Sequence, residues 1–185
     1  MIAVFNALLL IARAEAGAES ASVGPFDLGE TVASVAELYE PVAEENGAKL
    51  TIEVERGLTV TGNRELIGQA VANLVDNAVK YAGAAGEATE RTVITVTARR
   101  AGAAVAIEVA DRGPGIPADD RARALERFVR LEGARSRPGS GLGLSLAAAV
   151  MRMHGGAIRL DDNAPGLKVT ATLPAAAGAP EQAAA

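Results

Sequence analysis

Apolar residues along the chain switch between two spacings, and the switches mark out the elements. Over residues 27–46 they recur at helical spacing (Leu28, Val32, Val35, Leu38, Tyr39, Val42), as one buried helix face requires. Asp27 and Glu30 have capping-box spacing at the start, and Asn46-Gly47 suits the end. Pro41 is expected to kink this helix or end it early, because it has no N–H and its ring crowds the preceding turn. Residues 49–55 then alternate, with Leu50, Ile52 and Val54 on one side of a half-buried strand. A short strand at 58–60 is expected to pair with it. The pattern predicts a long helix over 63–82, strands at 92–98 and 104–110, a helix over 141–154, and strands at 158–160 and 167–173. Strands adjacent in sequence combined with long helices predict an α/β (α+β) two-layer sandwich. Its sheet would be mixed and largely antiparallel, with helices on one face.

The two ends of the chain read differently. Residues 1–12 are mostly apolar but are interrupted by Asn6, and they fall short of the roughly 18 residues of a membrane span. No basic residue precedes them, which disfavours a signal peptide. They suit a few buried helical turns ending near Ala16-Gly17, whose stripe of Phe5, Leu8, Leu9 and Ile11 calls for a partner helix. Residues 18–26 read as a linker, 27–174 as the main domain, and 175–185, without periodicity, as a disordered tail.

Composition narrows the chemistry. The 185 residues include no Cys and one His, which leaves no thiolate zinc site, disulfide framework or cysteine nucleophile. A serine triad or multi-histidine metal site would have to be built on His154 alone. A net charge of −5 and the lack of Trp disfavour nucleic acid as a partner. With 3 Phe and 2 Tyr, the core must be mostly aliphatic.

Four segments carry candidate chemistry. In NLVDNAVKYA (73–82), Gln69, Asn73, Asn77 and Lys80 share one helical arc beside the apolar stripe of Val71, Leu74, Val75 and Ala78. Amide oxygens suit Mg²⁺ and Lys suits phosphate, though a solvated polar face has the same pattern. Two Asn inside a helix oppose propensity and call for a reason. The strand at 104–110 runs into DRGPGIP (111–117), where a strand-end carboxylate can accept from an exocyclic amine and Gly113 and Gly115 admit a flat ligand. An ordinary strand-to-helix turn has the same chemistry. GSGLGL (139–144) opens a helix as an anion-binding turn does, but it matches neither a Walker motif nor a dinucleotide fingerprint. Residues 118–138 hold six Arg, offset in part by Asp119, Asp120, Glu126 and Glu132, and read as a lid or as a solvated charged helix.

In succession, the Asn-rich helix, D-x-G-x-G, the F-x-R segment from Phe128 to Arg130 and GSGLGL resemble the ATP-binding domain of sensor histidine kinases of two-component systems. The resemblance spans residues 26–174 and implies the Bergerat-type fold, with ATP and Mg²⁺ as cofactors. It implies that Asn77 holds Mg²⁺ with Asn73 beside it, and that Lys80 and Tyr81 flank phosphate and nucleoside. Asp111 would bind the adenine amino group, with Gly113 and Gly115 lining the base pocket. Arg127 and Arg130 would belong to the lid, and Gly139, Gly141, Leu142 and Gly143 to the phosphate turn. Residues 1–17 resemble the end of the second helix of the family's dimerisation and phosphoacceptor hairpin. The acceptor His of its first helix has no counterpart in this sequence, so this fragment is not expected to phosphorylate itself. His154, in Met-His-Gly-Gly, resembles a helix-ending motif of the family.

The implied reaction is transfer of the ATP γ-phosphoryl group to a histidine of the hairpin and then to a response regulator. A homodimer is implied when the hairpin is intact, and the setting is cytoplasmic, with no direct membrane contact in this chain. Related ATPases such as gyrase and Hsp90 carry a Glu where Asn73 stands, which favours transfer to a protein over water activation. A non-enzymatic ATP-sensing module and an anti-sigma-type serine kinase are the alternatives; the apolar N-terminal helix argues against the second.

Overall fold

A computed structural model describes residues 23–82, 92–129, 131 and 141–176. The elements are β1 (Val23–Asp27), α1 (Leu28–Glu45), β2 (Ala48–Val54), β3 (Thr59–Asn63), α2 (Arg64–Ala82), β4 (Thr92–Ala101), β5 (Ala104–Ala110), α3 (Ala118–Ala124), α4 (Gly143–Met153), β6 (Ala157–Asp162) and β7 (Leu167–Pro174). Five strands form the main sheet in the order β2-β4-β5-β7-β6. β2 lies parallel to β4, and the other neighbours are antiparallel. The parallel pair follows from what separates it in the chain: β3 and α2 supply the crossover that parallel neighbours need.

Alternation decides the buried side of the sheet. Ile94, Val96 and Ala98 of β4, Val105, Ile107 and Val109 of β5, and Leu167, Val169, Ala171 and Leu173 of β7 all enter the core. The helices cover that side: α1 with Leu28, Val32 and Ala36, and α2 with Ile67, Val71, Leu74 and Val75. The third covering helix, α4, is buried continuously from Ser145 to Met151, so it has no room for the polar face of an ordinary surface helix. Its run of small residues, Ala147 to Ala149, fits that position. Among the described residues, none of the largest fully buried side chains is aromatic. The predicted two-layer sandwich with a mixed, mostly antiparallel sheet is the observed architecture.

Three local expectations change. The segment at 58–60 does not pair with β2: β3 pairs with β1 in a separate two-stranded antiparallel sheet, Phe26 opposite Val60. Alternation tells which side of a strand is buried but not which strand lies beside it, and β1 falls in the last residues of the stretch read as a linker. α1 continues through Pro41 to Glu45, with Pro41 on an exposed face where solvent can serve the carbonyl that loses its partner. At the start of the expected tail, Ala175 bridges to Val60 and Ala176 N–H donates to Thr59. The hairpin-like stretch 1–17 lies outside the described residues. Among those described, no helix is long and apolar enough to cross a membrane.

Candidate functional site

α2 is the spine of the site. It begins at Asn63, whose Oδ1 accepts the Leu66 N–H at 3.0 Å as a helix cap does. Its apolar residues are committed to the core, which leaves Asn73 and Asn77 half-buried at the margin. The side-chain nitrogen of Asn73 donates to the Gln69 carbonyl at 2.9 Å, and this leaves Oδ1 as the outward acceptor. That oxygen lies 3.9 Å from where a side chain at Gly143 would begin, so the first residue of α4 sits directly against Asn73.

Two turns further on, α2 meets the strand-end motif. A side chain on Gly113 would begin 2.6 Å from the Tyr81 carbonyl oxygen. Only glycine fits so close an approach. Asn73, Asn77 and Tyr81 follow at intervals of four, so they ascend one side of α2 over about 12 Å. The Gly143 turn stands at the lower end, the Asp111 turn at the upper, and Asn77 between them.

Asp111 is the most constrained group of the site. It is 3% exposed, yet it carries an ionisable carboxyl. Its Oδ1 accepts from Gly113 N–H at 2.8 Å and Leu167 N–H at 3.3 Å. Among the described residues no hydrogen bond occupies Oδ2. Its backbone is held equally firmly: Asp111 N–H donates to Leu167 at 2.9 Å, and the Asn163 amide donates to the Asp111 carbonyl at 2.7 Å. Burial raises the carboxyl pKa above its ordinary value of 3.8, and the two backbone donors oppose that rise. Such a group gains from a ligand that donates to its vacant oxygen, because a buried carboxylate lacking donors is costly.

Asn163, Gly166 and Leu167 were missed in the sequence. Gly166, at φ +118°, passes so near Asp111 that a side chain there would begin 1.9 Å from its carbonyl oxygen. Gly115, at φ +70°, approaches the Gly166 carbonyl to 2.8 Å in the same sense. The signal available was the Asn-Ala-Pro-Gly sequence between the last two strands, a turn composition.

At the lower end, Gly141 adopts φ +71°, Leu142 is buried, and Ser145 Oγ donates to the Leu142 carbonyl at 3.1 Å. Gly141, Leu142 and Gly143 thus bring backbone to the start of α4, where unpaired N–H groups favour an anion. Lys80 is exposed and ion-paired with Asp76, one turn back along α2. Arg127 is exposed in the turn after α3. Arg130 and Gly139 lie outside the described residues.

His154 does more than end a helix. Gly155, at φ +72°, and Gly156 donate to the Arg152 and Met151 carbonyls and so close α4 as a Schellman motif. The ring bonds on both sides: Nδ1 meets the Val150 carbonyl at 2.8 Å, and Nε2 accepts the Asn63 N–H at 3.0 Å.

Comparison with known proteins identifies the family. The model of the family described as histidine kinase-, DNA gyrase B- and HSP90-like ATPase matches residues 62–177. The chain is 33% identical over 168 residues to the sensor-like histidine kinase SenX3 of Mycolicibacterium smegmatis, covering 90% of this chain and 42% of that protein. Its fold is similar to that of full-length ShkA in complex with AMPPNP, with TM-score 0.79 and 31% identity, over 95% of this chain and 36% of the other. The mycobacterial sensor histidine kinase MprB aligns with TM-score 0.70 and 30% identity over 83% of this chain and 98% of that structure. The chain therefore spans less than half the length of SenX3.

Proposed function

Because the chain belongs to the histidine kinase-, DNA gyrase B- and HSP90-like ATPase family, we propose that the side of α2 bearing Asn73, Asn77 and Tyr81 binds Mg-ATP and that the domain serves a sensor histidine kinase as its catalytic domain. The observation that carries this reading is the placement of two amide side chains between a buried carboxylate with a vacant oxygen and a glycine-rich helix start. Asp111 Oδ2 would accept the adenine amino group, while Gly113 and Gly115 leave room for the ring. Gly139, Gly141, Leu142 and Gly143 would meet the phosphates through backbone N–H groups. Lys80, Arg127 and Arg130 would add positive charge around them, and Tyr81 would flank the nucleoside.

The donor set fits magnesium brought with the nucleotide. Among the described residues no group of three or more His, Asp or Glu gathers to hold a metal alone. A neutral amide oxygen suits Mg²⁺ when phosphate and water complete its oxygen shell. Asn77 would hold the ion with Asn73 beside it, and the ion would supply charge neutralisation at the phosphates.

In the reaction, an imidazole nitrogen would attack the γ-phosphorus as the bond to the ADP oxygen breaks. ADP leaves, and the imidazole proton passes to a base or solvent. Asn73 carries no carboxylate to activate water, which favours a protein acceptor. His154 is not that acceptor, because both its ring nitrogens are engaged. The acceptor would be a histidine of the dimerisation hairpin, and an aspartate of a response regulator would take the phosphoryl group from it. Calorimetric titration with ATP should show Mg²⁺-dependent binding that Asn77→Ala or Asp111→Ala abolishes. Unchanged affinity in both variants removes the assignment. Transfer of labelled phosphate to a supplied hairpin bearing the acceptor His tests the second step, and ATP binding with failure across several hairpins would favour a nucleotide-sensing module.

A further inference from the structure

α2 and α4 pack side by side, and two close approaches show how they align. A side chain at Gly143, the first residue of α4, would begin 3.9 Å from Asn73 Oδ1 midway along α2, and Asn63, just before the first turn of α2, bonds His154 at the end of α4. From 63 to 73 and from 143 to 154 each helix covers about 15 Å, so the helices run antiparallel and the His154 ring supplies a hydrogen bond between them. We infer that His154 is a positioning residue: its imidazole locks the start of α2 to the end of α4 and so sets where Asn73 and Asn77 stand relative to the Gly141–Gly143 turn.

The chemistry of the ring supports this. Asn63 N–H can only donate, so Nε2 must accept, and the ring proton sits on Nδ1, facing the Val150 carbonyl. One side chain thereby joins a carbonyl of the last turn of α4 to the N–H of the residue that caps α2. Gly62 is what lets the ring approach: a side chain there would begin 2.6 Å from His154 Cδ2. A residue needed only to end α4 would not require this contact, because Gly155 and Gly156 already close that helix.

The inference rests on the Mg-ATP reading, and the test separates the two. ATP affinity of the 185-residue chain is measured in EDTA and in MgCl₂, and the ratio reports the amide end of the site. Affinity in EDTA reports chiefly the Asp111 end. His154→Ala should cut the magnesium ratio by about tenfold, as loss of an orienting neighbour does at metal sites. Affinity in EDTA should stay within about twofold, since the direct contacts of Asp111 are intact. His154→Gln, whose amide oxygen can stand where Nε2 accepts, should recover most of the ratio; His154→Asn, which is shorter, should not. A lower melting temperature with an unchanged ratio in His154→Ala overturns the inference and leaves the nucleotide site standing. Absence of ATP binding by the unaltered chain overturns both. If His154→Ala does not fold, His154→Gln and His154→Asn carry the comparison, and equal ratios in the two are equally fatal. Nitrogen-15 spectra give an independent reading: protonation at Nδ1 supports the clamp, and an Nε2–H tautomer overturns it.

Discussion

At the upper end of α2, Asp111 is held by hydrogen bonds to its carboxyl, its N–H and its carbonyl, and three glycines let the backbone close around it. At the lower end of the site, midway along the helix, Asn73 bonds back to the Gln69 carbonyl, and a side chain at Gly143 would begin 3.9 Å from its Oδ1. The backbone of the first end is fixed by the protein itself, leaving Oδ2 for a ligand donor; the second presents acceptors and helix N–H groups that a charged ligand would complete. The difference follows from solvation. A buried carboxylate needs fixed donors, whereas half-buried amides and helix N–H groups are served by water until phosphate displaces it. The rigid end is thus suited to selecting a ligand by shape and hydrogen bonding, and the open end to binding it through charge.

The largest effect should come from disturbing the rigid end. Gly166→Ala places a methyl group against the Asp111 carbonyl and forces alanine to φ +118°. A loss of about 3 kcal/mol or more is expected in urea unfolding, the combined effect of backbone strain and clash. A variant as stable as the parent would show that this corner is adaptable.

Asp111→Asn should separate binding from stability. Its oxygen can keep the two backbone donors, but its NH₂ would face a ligand amine donor to donor. Nucleotide affinity should fall about 10- to 100-fold, the range of a hydrogen bond to a charged group at about 1.5–3 kcal/mol. Stability at neutral pH should hold or rise, because burial raises the Asp111 pKa and so disfavours the folded state once the carboxyl ionises. The folded form binds this proton more tightly than the unfolded one. The contribution of Asp111 to stability therefore declines as pH rises from near 3.8 through the raised folded-state value. Paired denaturation curves of parent and Asn variant should diverge in favour of Asn across that window; a constant difference contradicts the stated electrostatics.

Away from the Asp111 corner the changes should be smaller. Gly141→Ala takes a left-handed residue out of its preferred type, with an expected loss of about 1–2 kcal/mol in thermal unfolding. Lys80→Ala removes an exposed ion pair with Asp76 and should alter stability by no more than about 0.5 kcal/mol. If it nevertheless weakens ATP binding, Lys80 exchanges Asp76 for phosphate on binding. An unchanged affinity would confine it to the surface pair.

What could be read in the sequence was local. Helical spacing located α1, α2 and α4; alternation located β2 and β4 to β7; and Asp27, Asn46 and Gly47 marked the ends of α1 within a residue or two. The two asparagines of α2 and the Asp111-Gly113 pair were legible because each lies within one element or turn. The partner of β3, the tie from Asn163 to Asp111 across 52 residues and the clamp from Asn63 to His154 across 91 were not. Spacing reports which side of an element is buried, because water and the core distinguish its faces. It does not report which distant backbone supplies a donor, because that depends on strand order and helix packing, and these form only when the apolar faces are buried together.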